Sequence, residues 1–433
     1  MHAEAESLNQ IIKKESQLVY DLLSEKGRNI FFPEKGILSQ TSEAKGKKIN
    51  ATIGSAIEDD GGPMCFKSIS DIVNQPASSV VSYAPGFGNP DIRKKWKDML
   101  VQKNPTLSGK SFSNPMVTAA LTHGLSMIGY LFLEKGEHFC LPDLYWENYD
   151  LVFTNSYGAV FNTFPLFSGS NFNIQSFREK LLGGSPRTIK LILNFPNNPT
   201  GYTPTIKEAE EIISIIKTSA EAGNKLLVIL DDAYFNLVYE DGIEKQSLFA
   251  YLCDIHENVL AIKVDGPTKE DYVWGLRVGF ITYGIKNGSD ALYGALERKT
   301  GGAIRGNISN APNISQSILL KAYTSPEYNN EKQAKYNTLK ERYNTVKATL
   351  NDKTEYHEYF QALPFNSGYF MCVKLKEGLD GETVRSILLN EFSTGIINLD
   401  NLFRVAFSAV PKANIPELFE NIYQACKKAS GSK

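Results

Sequence analysis

Cysteine and histidine are scarce in this sequence, with five of each among 433 residues. The cysteines (Cys65, Cys140, Cys253, Cys372, Cys426) are widely spaced, odd in number and without a Cys-x-x-Cys pair, which argues against a disulfide framework and a thiolate zinc site. The histidines (His2, His123, His138, His256, His357) have no metal-ligand spacing, so no metal is expected. No apolar run approaches the ~18 residues needed to span a bilayer. The polar opening Met1-His2-Ala3-Glu4-Ala5-Glu6 lacks the apolar core of a signal peptide, so a cytoplasmic address is expected. Charge of one sign is also missing. A net charge of −2 gives no electrostatic reason to expect nucleic acid or an anionic membrane as partner. A dinucleotide-binding glycine turn is absent too, because Gly86-x-Gly88 is followed by Pro90 and no third glycine.

What is present is an ordinary globular composition, 42% hydrophobic and 22% charged, on a chain long enough for two domains. The first forty residues read as a polar helix and a loop, followed by a short strand from Lys48 to Gly54. From about residue 72 to 310, apolar strands alternate with helical segments. The clearest strands are Phe139-Leu141, Ile189-Leu193, Leu226-Leu230, Leu260-Val264 and Val278-Thr282, with a helix at Ile206-Ala220. That alternation implies a mostly parallel sheet covered by helices on both faces. Ser315 to about Leu350 is helical and charged, broken at Pro326. Strands at Tyr369-Val373 and Phe403-Phe407 and a last helix from Ile415 then read as a smaller α+β part.

Polar residues concentrate where apolar strands end, the edge at which open α/β sheets bind ligands. Asn197-Asn198-Pro199-Thr200-Gly201 follows one strand and is, alone, an ordinary turn. Asp231-Asp232-Ala233-Tyr234 follows a second, and one of the acids could simply cap a helix. Thr268-Lys269 follows a third, with Arg277 eight positions on. In this order and spacing the three segments resemble the aspartate aminotransferase-like superfamily, the class I and II aminotransferases of fold type I. The resemblance runs from about Ile49 to Arg404.

The resemblance implies an α/β fold: a large domain with a mostly parallel seven-stranded sheet flanked by helices (64–329), and a smaller α+β domain from the N- and C-terminal segments (1–63 and 330–433). It implies pyridoxal 5′-phosphate as cofactor, with Lys269 as its Schiff-base lysine and Asp231 facing the pyridine nitrogen. Asp232 is left as a neighbour or a cap, and Lys263 as a decoy inside a strand. Asn198 and Tyr234 fall where the family holds the phenolic oxygen. Arg277, Thr268, Thr122 and His123 fall at the phosphate, although His123 is equally a helix-capping residue. Trp146, with Tyr145 as rival, matches the aromatic ring against the pyridine. Tyr83 matches a tyrosine that reaches the neighbouring subunit's phosphate, which implies a homodimer with shared active sites. Arg404, with Gly54 and Asn198 beside it, falls at the substrate α-carboxylate, and Arg305 at a side-chain carboxylate across the dimer. Gly266 departs from the pattern, standing where many relatives have a phosphate-binding serine.

The activity so implied is ping-pong transfer of an amino group from an L-amino acid to a 2-oxo acid, with glutamate or aspartate as one partner. The same scaffold also hosts C–S lyases and decarboxylases. A non-catalytic sensor is the remoter alternative, and the retained lysine counts against it.

Overall fold

A computed structural model describes residues 2–32 and 36–431. Its main sheet has seven strands: β1 (Met116–Thr118), β2 (His138–Pro142), β3 (Val160–Phe164), β4 (Thr188–Asn194), β5 (Lys225–Asp231), β6 (Val259–Asp265) and β7 (Gly279–Gly284), in the order β1-β7-β6-β5-β4-β2-β3. Strands β2 to β6 run parallel, and β7 is antiparallel to both of its neighbours. The central strands are continuous apolar runs because both faces are covered. Along β5, Leu226, Val228 and Leu230 enter one core while Leu227 and Ile229 enter the other, the two-residue period of a strand. One layer includes the helix Ile206–Glu221, started by a Thr205–Glu208 capping box and burying Ile212, Ile215 and Ile216. The opposite layer includes the helices Ala120–Phe132 and Asp290–Ile308.

A second sheet has four antiparallel strands: β8 (Phe360–Ala362), β9 (Phe370–Leu375), β10 (Ile397–Leu399) and β11 (Leu402–Ala406), in the order β8-β9-β11-β10. The expected helix pair is present as Asn313–Ala322 and Tyr328–Asp352, on either side of Pro326. The last helix, Ile415–Gly431, packs against the second of these.

The N-terminal part differs from the expectation. The single polar helix is instead three short ones, Ala3–Glu15, Gln17–Leu22 and Glu25–Asn29. Ser16 and Ser24 divide them, each accepting a backbone N–H of the helix that follows. A fourth helix, Ile37–Glu43, stands where a loop was expected. The strand expected over 48–54 is reduced to Ile49–Asn50, paired with Thr394–Gly395. It stops where Asn50 Oδ1 accepts the Thr52 N–H at 3.1 Å. Strands β1 and β3 carry no strong signal in the sequence, since both are edge strands and β3 is largely exposed.

Gly201 joins the two sheets. Its φ is +71°, and a Cβ there would stand 1.9 Å from the Phe370 carbonyl oxygen in β9. The Gly201 carbonyl accepts the backbone N–H groups of Asn366 (3.0 Å) and Ser367 (2.9 Å), so a shift there breaks the seam. Gly201→Ala is therefore expected to lower stability by about 2 kcal/mol or more, measured as a drop in the thermal unfolding midpoint. An unchanged midpoint contradicts the close approach.

Candidate functional site

A cavity of about 400 Å³ opens where the carboxyl ends of β4 and β5 and the segment after β6 meet the second sheet. Of the residues singled out in the sequence, Lys269, Asp231, Asn198, Tyr234, Trp146, Thr122, Thr268, Arg277, Arg404 and Gly54 line it.

Asp231 is the last residue of β5, beside Asn194 at the end of β4. Asn194 holds the junction: its amide donates to the Asp231 carbonyl at 2.7 Å, and its Oδ1 accepts the Asn198 N–H at 2.8 Å. The Asp231 carboxylate is buried. It accepts hydrogen bonds from the Tyr149 hydroxyl and, at 3.2 Å, from the Ala233 N–H. Burial raises its pKa to about 6 despite Tyr149 and Lys269, which favour the charged form. The Tyr149 phenol, fully buried beside that charge, is held well above its ordinary range and remains a donor.

Lys269 sits in the short helix Pro267–Glu270, with its carbonyl accepting the Tyr369 hydroxyl at 2.6 Å. Its Nζ lies 5.2 Å from the centre of the Tyr234 ring. Burial lowers its pKa to about 8; Asp231 opposes that shift and Arg277 adds to it. The next two residues anchor the turn. Glu270 pairs with Lys103 at 2.8 Å and Lys332 at 2.6 Å, and Asp271 pairs with Lys332 at 2.7 Å. Asp271 also accepts the hydroxyls of Tyr323 (3.0 Å) and Tyr328 (2.8 Å).

At one end of the cavity the helix Ala120–Phe132 begins. Ala120, at φ +64°, turns the chain so that Leu121 and Thr122 face inward. Gly279 permits this, because a Cβ there would lie 2.7 Å from the Ala120 backbone. Thr268 Oγ1 and Trp274 Nε1, on residues lining the same cavity, are buried without a hydrogen-bond partner among the described residues. Arg277, also left-handed at φ +52°, lines the cavity and donates to the Trp274 carbonyl at 3.2 Å. A helix N-terminus, a guanidinium and an unused hydroxyl fit a phosphate.

At the other end stands Arg404, in the middle of β11 and only 4% exposed. Its guanidinium lies 4.5 Å from the Phe370 ring centre and donates to the Thr52 carbonyl at 3.2 Å. Its Nε is buried without a partner, and no carboxylate among the described residues forms an ion pair with it. Burial accordingly pushes its pKa below the ordinary value. An unpaired buried cation costs several kcal/mol, which a ligand carboxylate would offset.

Other expected residues lie elsewhere. His123 does not line the cavity; its Nδ1 accepts the Ala119 N–H at 3.0 Å, closing the turn before the helix. Tyr83 is 89% exposed and Arg305 is exposed, and neither reaches the cavity within this chain. Asp232 is not a cap. It is buried, accepts the Ser247 hydroxyl and pairs with the fully buried Lys263, which also lies 3.4 Å from Asp265. A lysine inside a strand needs such carboxylates, so Lys263 is neutralised locally. Trp146, rather than Tyr145, lines the cavity. Sequence reasoning missed Tyr149, Tyr369, Trp274 and the pair Ile37 and Thr41. Asn194, a polar residue ending an apolar strand, could have been found by the same signal as Asp231.

Asp231 sets a dependence of stability on pH. Its folded-state pKa of about 6 is above the unfolded value of about 3.9. Its contribution is therefore intact below the lower value and lost as pH rises through the upper one. Asp231→Asn is expected to raise the thermal midpoint of the protein alone at pH 8 and to lose that advantage toward pH 5. Tyr149→Phe, which removes a donor, is expected to lower the midpoint at pH 8. Parallel shifts of both variants at all pH values contradict this assignment.

Residues 65–422 match the sequence profile of the family described as aminotransferase class I and II. The chain is 28% identical over 201 residues to a probable aspartate/prephenate aminotransferase of Aquifex aeolicus, covering 46% of this chain and 48% of that protein. It is 25% identical over 299 residues to an aspartate aminotransferase of Bacillus sp. (strain YM-2), covering 67% of this chain and 70% of the other. The first of these matches thus spans about half of the relative's length. In fold, the chain superposes on the crystal structure of an aminotransferase from Anaerococcus prevotii with a TM-score of 0.80 at 22% identity, covering 94% of this chain and 99% of that one. With the profile spanning most of its length, the chain belongs to the aminotransferase class I and II family, whose enzymes depend on pyridoxal 5′-phosphate.

Proposed function

We propose that this protein transfers the amino group of an L-amino acid to a 2-oxo acid in two half-reactions, using pyridoxal 5′-phosphate held at Lys269. The observation that carries the reading is Arg404, a buried cation with no carboxylate at ion-pair distance among the described residues, lining one cavity with Lys269 and Asp231. When bound, the cofactor supplies an aldehyde for the amine and a ring that draws electron density from the substrate's Cα.

The chain's own residues do the rest. Arg404 takes the α-carboxylate bidentately and so orients the Cα–H bond toward Lys269. Released when the substrate's amine takes its place on the cofactor, the Lys269 amine, with a pKa lowered to about 8, removes and returns the Cα proton. Asp231, kept in place by Tyr149 and Asn194, holds the proton on the ring nitrogen. Asn198 and Tyr234 would hold the phenolic oxygen, and Trp146 would pack against the ring. Arg277, Thr268 and Thr122 would hold the phosphate, with His123 shaping the turn before Thr122. Gly54 leaves room for the substrate beside Arg404.

Tyr83 and Arg305 are assigned to the cavity of a second subunit, Tyr83 at the phosphate and Arg305 at the side-chain carboxylate of glutamate or aspartate. Their exposure supports this, as do the exposed Val80, Val81 and Phe87 around Tyr83 and Ile308 near Arg305. The active form is then a homodimer. The domain division is 64–329 against 1–63 with 330–433, supported by the separate sheets and by the pairing of Ile49–Asn50 with Thr394–Gly395. A cytoplasmic address is supported by five free cysteines.

Lys269→Ala is expected to abolish turnover, and Arg404→Ala to lower kcat/KM by about a hundredfold or more, as for loss of a charge-assisted bidentate contact. Reloading of cofactor-free protein is expected to accelerate as pH rises through about 8, where Lys269 becomes neutral. The direct test is oxo-acid-dependent amino transfer across a panel of L-amino acids. Release of ammonia and pyruvate in its place would overturn the assignment in favour of elimination chemistry.

A further inference from the structure

The walls of the cavity also bear on which side chain the substrate carries. Three cations line it among the described residues: Lys269, Arg277 and Arg404. Each already has a role in the proposed function: Lys269 holds the cofactor and moves the Cα proton, Arg277 serves the phosphate and Arg404 the α-carboxylate. Among the described residues no fourth cation faces the cavity. The remaining wall beside Arg404 is apolar, formed by Ile37, Thr41 and Ile53 with Phe370.

Ile37 and Thr41 are four residues apart on the helix Ile37–Glu43 and so share one face. The Thr41 hydroxyl is occupied within the helix, donating to the Ile37 carbonyl at 2.7 Å, so it makes no polar demand on a ligand. Both residues, and Ile53, are only half-buried, leaving apolar surface at the cavity that a ligand could cover.

This wall shares a mount with Arg404. Gln40, on the same helix, bonds Asn398 of β10 through both ends of its amide, donating to the carbonyl at 3.1 Å and accepting the N–H at 2.6 Å. The adjacent Ile397 is the register partner of Arg404 in β11. The segment before Ile53 is fixed to the same strand, because the Ala51 carbonyl accepts the Ala406 N–H at 2.9 Å. The carboxylate site and the apolar wall therefore stand at a fixed distance from each other. That is what discrimination between side chains on a common α-amino acid core requires.

Resting on the aminotransferase reading, we propose that Ile37, Thr41 and Ile53 form a side-chain subsite for apolar L-amino acids, so that one substrate of the pair is a branched or aromatic amino acid. Leucine and asparagine are close in size and differ chiefly in polarity, which makes them the discriminating pair. An apolar wall receives the first and leaves the amide of the second without partners.

The experiment uses the holoprotein and follows the cofactor absorbance change on adding leucine, phenylalanine, asparagine or glutamate. Leucine and phenylalanine are expected to react with kcat/KM at least about tenfold above asparagine. In Ile37→Asn the leucine-to-asparagine ratio is expected to fall about tenfold, mainly through KM. Conversion by glutamate reports that the variant is folded and loaded. Thr41→Val, which keeps the wall apolar, is expected to preserve the ratio. Asparagine matching leucine in the wild type, or an Ile37→Asn ratio equal to that of the wild type, overturns the subsite. Glutamate turnover alongside inert leucine and phenylalanine sinks this inference and leaves amino transfer standing. Silence from every amino acid tried overturns the proposed function itself.

Discussion

Two buried charges of opposite sign face one cavity without neutralising each other, and the surrounding structure is arranged to keep them there. Asp231 ends a strand of the large sheet and Arg404 lies within a strand of the small one. Had they met, they would form an ordinary buried ion pair with nothing left for a ligand. Instead each is held by neutral groups: Tyr149 and a backbone N–H for the acid, the Thr52 carbonyl and the Phe370 ring for the base. Neutral partners fix position without cancelling charge, which suits a site whose ligand must bring a cation to one end and an anion to the other.

Lys269, which lines the same cavity, is positioned from outside it. Glu270 and Asp271 follow it directly and are locked to Lys103 and Lys332, while Tyr369 holds its carbonyl. These contacts join the lysine's turn to the helices Pro90–Lys103 and Tyr328–Asp352. The cluster is fully paired, so burying it differs in kind from burying Arg404. A second paired cluster, Lys263 with Asp232 and Asp265, separates the acid that serves the cavity from the adjacent one that serves the core.

The central strands could be read because each is an apolar run with polar residues at its carboxyl end, and the same feature exposed Asp231, Asn198 and Lys269. Edge strands β1 and β3 gave no such signal, being short or exposed. Arg404 was legible as a charge inside an apolar strand. Tyr149 was not, because nothing in Tyr-Trp-Glu-Asn-Tyr distinguishes the ring that reaches Asp231 from its neighbours. Ile37 and Thr41 were hidden for a different reason: a short helix far from the motifs is brought to the site by Gln40 and Asn398, a contact spanning most of the chain. His123 shows the reverse limit, since its place beside the turn was legible but the use of its ring to accept the Ala119 N–H, rather than to line the cavity, was not.

The central claim is that one amine, at position 269, carries the cofactor. Borohydride reduction of the holoprotein followed by peptide mass mapping tests it directly. A single phosphopyridoxyl group is expected on the peptide containing Lys269, with Lys263 unmodified. Label on Lys263, on surface lysines in general, or on no lysine would contradict it.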